Sequence, residues 1–173
     1  RFAALATIEP ETGDPMASRI AFGLDPGAQP VSLMSTLAFH TKALLAQPRC
    51  SLLVGEPGKG DPLAHPRISL QSIALPIDRT STDHASIRAH YLKQHPKAAL
   101  YVDFGDFLFV RFKIRLAYLN GGFGDPETAG TKRCLPSGFR PPSVLNTKLR
   151  LETVLQLHYR VEAGEKICQE TYS

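Results

Sequence analysis

Ser35-Thr36-Leu37-Ala38-Phe39-His40-Thr41-Lys42-Ala43-Leu44, running on through Pro48-Arg49-Cys50-Ser51-Leu52-Leu53, is the stretch on which the reading of this chain turns. Its first half predicts a short helix over about residues 38–47, stopped by Pro48, because the residue before a proline is pushed out of the helical region. Its second half, Cys50 to Val54, is a continuous apolar run and reads as a buried strand. The backbone N–H groups at a helix start lack partners and carry partial positive charge. With Ser35, Thr36, His40, Thr41 and Lys42 gathered there, the segment is a candidate seat for a phosphate. The same hydroxyls could equally cap the helix.

Strand signals lie on both sides. Phe2 to Ile8, Met16 to Leu24 and Val31 to Met34 read as three strands. Asp25-Pro26-Gly27 makes a turn that joins the last two as a hairpin. Gly55 to Pro66 is too rich in proline and glycine to be anything but loop. Arg67 to Ile77 alternates well enough for a strand. A helix follows, capped by Ser81 or Thr82 and running to about His95, with Ile87 and Tyr91 on one stripe and Pro96 as its stop. Phe107 to Leu119 is the longest strand candidate, with Arg111, Lys113 and Arg115 alternating along one face. About six strands with two helices set between them predict a mainly β protein, a β-barrel with α-helices. No βαβα rhythm supports a Rossmann sheet. Residues 1–126 form the barrel domain in this reading, and 127–173 a C-terminal extension.

The chain has 173 residues, 43% hydrophobic and 21% charged, which suits one globular domain with a real core. A net charge of +4 is spread along the chain without a Lys/Arg block, so nucleic acid is not an expected partner. No apolar run reaches membrane-span length. The first residues carry no signal-peptide pattern, and the chain begins at Arg1, so its natural start is expected upstream. Cys50, Cys134 and Cys168 are odd in number and far apart. They predict neither a disulfide framework nor a zinc site and fit a reducing cytoplasm. His84, His90, His95 and His158 lack metal-ligand spacing and read as surface residues, and His65 as a loop residue. No bound metal is expected.

Six pieces fall in a telling order: Ala3-Ala4-Leu5-Ala6-Thr7; Pro15-Met16-Ala17-Ser18-Arg19; residues 35–53; Pro66-Arg67-Ile68-Ser69-Leu70; His95-Pro96-Lys97-Ala98 with Asp103-Phe104-Gly105-Asp106-Phe107; and Gly121-Gly122-Phe123-Gly124. This order resembles the FMN-binding split β-barrel proteins of the pyridoxamine 5′-phosphate oxidase-like superfamily. It is most similar to the haem-utilisation (HugZ-type) branch, which includes plant proteins that bind glutamyl-tRNA reductase. The resemblance spans about residues 1–124. It implies a six-stranded Greek-key split barrel, a homodimer, and FMN in grooves between the subunits, while the cysteine pattern makes cytoplasmic the expected location.

By the same resemblance, Ser18, Arg19, Ile20 and Ala21 would meet the flavin. Met34, Ser35, Thr36, His40, Thr41 and Lys42 would hold the ribityl chain and phosphate, and Arg67 and Gln71 the isoalloxazine edge. His40-Thr41 departs from the Arg-Lys of the oxidases but suits the haem-utilisation branch. The function then expected is an FMN-dependent oxidoreductase, a flavoprotein acting on a small-molecule substrate, with the chemistry carried by the cofactor. No catalytic side chain is named. The alternatives are a haem-binding or haem-degrading protein, with haem as the ligand, and a non-enzymatic regulator of tetrapyrrole metabolism. Residues 127–173 resemble neither the second domain of the haem-utilisation proteins nor the substrate-gripping tail of the oxidases. The Asp103-Phe104 and Asp106-Phe107 pairs are read as shaping the start of the long strand.

Overall fold

The structure is a computed structural model and describes residues 2–120 together with the backbone of 131–134. In chain order it contains β1 (Phe2–Ile8), β2 (Pro15–Ala21), β3 (Gly23–Leu24), β4 (Pro30–Ser35), α1 (Phe39–Ala46), β5 (Arg49–Val54), β6 (Arg67–Pro76), α2 (Thr82–Gln94), β7 (Phe107–Asn120) and β8 (Thr131–Cys134). Short 3₁₀ turns occupy Pro62–Ala64 and Pro96–Leu100. The strands form one sheet in the order β2-β1-β5-β6-β7-β4-β3, with β8 added beside β7.

That path holds seven strands where six were expected. The reason lies at Phe22. The strand expected over Met16–Leu24 breaks there, and its two pieces take different partners. β2 pairs with β1, from Phe2 opposite Ala21 to Ile8 opposite Pro15. β3 pairs with β4, Gly23 opposite Val31 and Leu24 opposite Pro30. The path therefore begins and ends on consecutive segments of chain, a connectivity that agrees with the split-barrel type.

The chain divides into two compact units, Arg1–Leu52 with Gln71–Lys113, and Leu53–Leu70 with Ile114–Ser173. The domain boundary expected at residue 126 lies outside the described residues, as do Gly121–Gly124 and most of the C-terminal extension.

In the first unit, β1 alternates strictly, with Ala3, Leu5 and Thr7 buried and Phe2, Ala4, Ala6 and Ile8 exposed. β4 is buried along nearly its whole length and pairs with β7, from Val31 opposite Arg111 to Ser35 opposite Phe107. The core joins Val31, Leu33 and Phe109 of these strands to Ile87 and Tyr91 of α2, with Ala98 and Val102 beside them. α2 forms because Ser81 caps it, its hydroxyl accepting the His84 N–H, and because Ile87 and Tyr91 put one apolar stripe on the sheet. Burying both side chains contributes about 1.5–3 kcal/mol each. Burial pushes the Tyr91 phenol up to about 12, an effect the Leu33 backbone partly offsets.

Gly23 lets the helix come this close, since a Cβ there would sit 3.1 Å from the Tyr91 ring. The end of α2 then covers the edge of β3. Gln94 donates to the Leu24 carbonyl at 2.7 Å and accepts the Leu24 N–H at 3.1 Å, while His95 Nε2 lies 2.8 Å from the Phe22 carbonyl. His95 also stacks on Tyr91, with centroids 4.5 Å apart. It is a structural residue and not the surface residue expected. His84 is likewise half-buried, edge-on to Phe109.

In the second unit, the loop after β5 folds on itself. Gly55 has φ +138°, and a Cβ there would lie 2.7 Å from the Pro66 carbonyl oxygen, so only glycine fits. Asp61 accepts the Leu63 N–H at 2.8 Å and starts the turn at Pro62–Ala64. His65 Nε2 lies 3.0 Å from the Lys59 carbonyl. β8 pairs with the end of β7, Ala117 opposite Cys134.

Candidate functional site

The expected phosphate seat starts where β4 ends. Met34 is buried in the core, and Ser35 sits opposite Phe107 at the last rung of the β4–β7 ladder. One residue before Phe107 stands Asp106, and it closes this corner. The Ser35 hydroxyl donates to Asp106 Oδ2 at 2.6 Å, and the Thr36 N–H donates to the Asp106 carbonyl at 2.6 Å. Ser35 Oγ in turn accepts the Leu37 N–H at 3.1 Å. Sequence reasoning placed Asp106 only at the start of the long strand. The two residues are 71 positions apart, and no local pattern links them.

α1 follows. Its N-cap is Ala38, with no side-chain cap, so Ser35, Thr36 and Thr41 do not cap the helix. Thr41 is fully buried, and its hydroxyl has no hydrogen-bond partner among the described residues. The residues facing outward are different ones. Leu37 is 73% and Phe39 48% exposed, and Lys42 and Leu45 further along α1 are also exposed. His40 is half-buried among them and makes no hydrogen bond to a described residue. Burial holds its imidazole below the ordinary value of 6.5, because a charged ring loses hydration there. The ring is therefore neutral at neutral pH and free to act as a donor atom.

The other expected site residues lie elsewhere. On β2, Ile20 points into the core, while Ser18 and Ala21 are half-buried. Arg19 is exposed, and its guanidinium lies 4.9 Å from the centre of the Phe2 ring. Gln71 is exposed on β6. No hydrogen bond or ion pair joins Arg19 or Gln71 to the Ser35–Asp106 corner among the described residues. Arg67, in the second unit, donates to the carbonyls of Leu63 at 3.0 Å and His65 at 3.3 Å, so its guanidinium braces its own loop. Cys50 is part-buried, and burial pushes its thiol up to about 12, which leaves it inert.

Sequence reasoning also missed a charged cluster in the same unit. Asp25 is buried and accepts the N–H groups of Gly27 at 2.8 Å and Gln29 at 2.9 Å. Its other oxygen meets Arg111 Nε at 2.7 Å, and Arg111 also reaches Asp83 at 3.1 Å. Burial works against the Arg111 charge, but the bonds to Asp83 and Asp25 outweigh it. The turn between β3 and β4 is thereby tied to β7. Among the described residues no group of three or more side chains is placed to hold a metal, and no helix is long and apolar enough to cross a membrane.

Residues 1–133 match the family model described as "CREG, beta-barrel". The chain is 40% identical over 111 residues to the Arabidopsis thaliana protein named non-canonical heme oxygenase HOZ, chloroplastic; the match covers 63% of this chain and 33% of that protein. The chain thus spans about a third of the length of the curated relative it matches. A solved heme binding protein from Mycobacterium smegmatis is 30% identical, with a TM-score of 0.68 over 78% of this chain and 52% of its own. HutZ of Vibrio cholerae, described as a heme storage protein, is 21% identical with a TM-score of 0.58, over 65% of this chain and 80% of its own, and is similar in fold.

Proposed function

The chain belongs to the CREG β-barrel family, and we propose that it binds haem and serves haem breakdown of the haem-utilisation type. The observation that carries this reading is the 40% identity over 111 residues with a plant protein named a haem oxygenase. The mycobacterial haem-binding protein adds to it.

The α1 segment has the chemistry that haem asks for. Haem presents an apolar ring, an iron that takes a neutral nitrogen, and two carboxylates. His40 offers an imidazole kept neutral by burial, a usual ligand for haem iron. Leu37 and Phe39 offer exposed apolar surface for the ring, and Lys42 an ammonium for a carboxylate. Haem, when bound, supplies the oxygen and electron chemistry. The residues of this chain bind it, orient it and shield one side from water. A homodimer is part of the proposal. The outward face of the β1–β2 hairpin exposes Phe2, Ala4, Ala6, Ile8 and Ala17 around one charge, Arg19, a largely apolar surface of the kind a second copy would cover.

Haemin titration followed by the Soret band tests the reading. The expected result is a saturable shift with the natural chain, and a weaker, altered spectrum with His40→Ala. A haemin spectrum unchanged by the natural chain refutes haem binding. A His40→Ala spectrum identical to the natural one refutes His40 as the ligand and leaves the binding itself standing.

A further inference from the structure

We infer that Asp106 is a specificity residue that closes the end of β4 to a phosphate ester and so turns the chain away from FMN. A phosphate accepts hydrogen bonds and gives none at neutral pH, so its seat must hold spare donors. The donors at the strand end itself are engaged within the chain, while the side chains of His40 and Lys42 on α1 have no hydrogen bond or ion pair to a described residue. The Ser35 hydroxyl proton goes to the Asp106 carboxylate, the Thr36 N–H to the Asp106 carbonyl, and the Leu37 N–H to Ser35 Oγ. A phosphate arriving at Ser35 would meet a carboxylate 2.6 Å from that hydroxyl. Asp106 is half-buried, so water and salt screen its charge less than they would on an open surface.

The carboxylate is also held in place. Phe107, the next residue, is paired with Ser35 in the ladder, and its N–H donates to the Phe104 carbonyl at 3.1 Å. The Arg79 guanidinium donates to the carbonyls of Phe104 and Phe107, bracing the turn from outside. Asp106 therefore stands as the chain's own anion at the corner where the family resemblance implies a flavin phosphate. At the Ser35–Asp106 end, the engaged donors and the carboxylate both oppose a phosphate.

Flavin titration, followed by fluorescence quenching, tests the inference with Asp106→Ala and Asp106→Asn beside the natural chain. Each variant is first checked for folding by circular dichroism. The natural chain is expected to show no saturable binding of FMN. Asp106→Ala frees the Ser35 hydroxyl and removes the charge, and is expected to tighten FMN binding by about tenfold or more. Asp106→Asn removes the charge alone and is expected to gain less. Riboflavin, which lacks the phosphate, is expected to gain nothing. Saturable FMN binding by the natural chain that inorganic phosphate competes away overturns the inference. So does a folded variant that gains no FMN affinity, or one that gains equally for riboflavin. If Asp106→Ala does not fold, the Asn variant carries the comparison.

Discussion

Replacing Asp25 with alanine is expected to be among the most damaging single changes outside the apolar core. The Asp25 side chain is 3% exposed and binds Arg111 at 2.7 Å. Removing one partner of a buried ion pair costs about 3–5 kcal/mol, because the other charge is left without compensation. The lower end applies, since Arg111 is 29% exposed and keeps Asp83 at 3.1 Å. The N–H groups of Gly27 and Gln29 also lose their acceptor, but they lie at a turn that water can reach and add less than about 1 kcal/mol. The sum is about 3–4 kcal/mol. Asp25→Asn keeps a carbonyl oxygen for both N–H groups and loses only the charge, so its cost is about 1.5–3 kcal/mol. Urea unfolding at neutral pH measures both, with the midpoint moving and the slope constant. A loss below about 1 kcal/mol for Asp25→Ala would refute the claim that this carboxylate ties the β3–β4 turn to β7.

Further outcomes follow from other parts of the first unit. Gln94→Ala orphans both backbone groups of buried Leu24 and is expected to cost about 1–3 kcal/mol, with faster hydrogen exchange at the Leu24 amide. Unchanged exchange there would show that the helix end does not protect β3. Acid is expected to destabilise the fold below about pH 6.5. Burial lowers His40, and burial together with Arg79 and Arg88 lowers His84. The unfolded chain then binds more protons than the folded one, so stability present above the ordinary histidine value is lost as pH falls through the lowered values. Thermal melts across that range give the slope, and His40→Gln with His84→Gln is expected to flatten it. An equal slope in the double variant would assign the effect to other groups.

Much of the architecture was legible because its causes are local. The apolar run Phe2–Ile8, the Ser81 cap, the stripe of Ile87 and Tyr91, and the stops at Pro48 and Pro96 are all set within a few residues, and the elements appear where these signals put them. The break at Phe22 was not legible. Nothing in Met16–Leu24 says that its two ends will choose different partners, because that choice depends on which strands arrive beside them.

The site divides in the same way. Residue types at a helix start marked residues 35–42 as a candidate seat, and there His40, whose ring has no hydrogen bond to a described residue, follows exposed Leu37 and Phe39 in the chain. What the hydroxyls there are used for was decided by residues far along the chain. Ser35 meets Asp106 across 71 positions, Leu24 meets Gln94 across 70, and Asp25 meets Arg111 across 86. A side chain's local neighbours govern the backbone path it favours. Its hydrogen-bond partner is whatever group packing brings within about 3 Å, and that is a property of the folded chain alone.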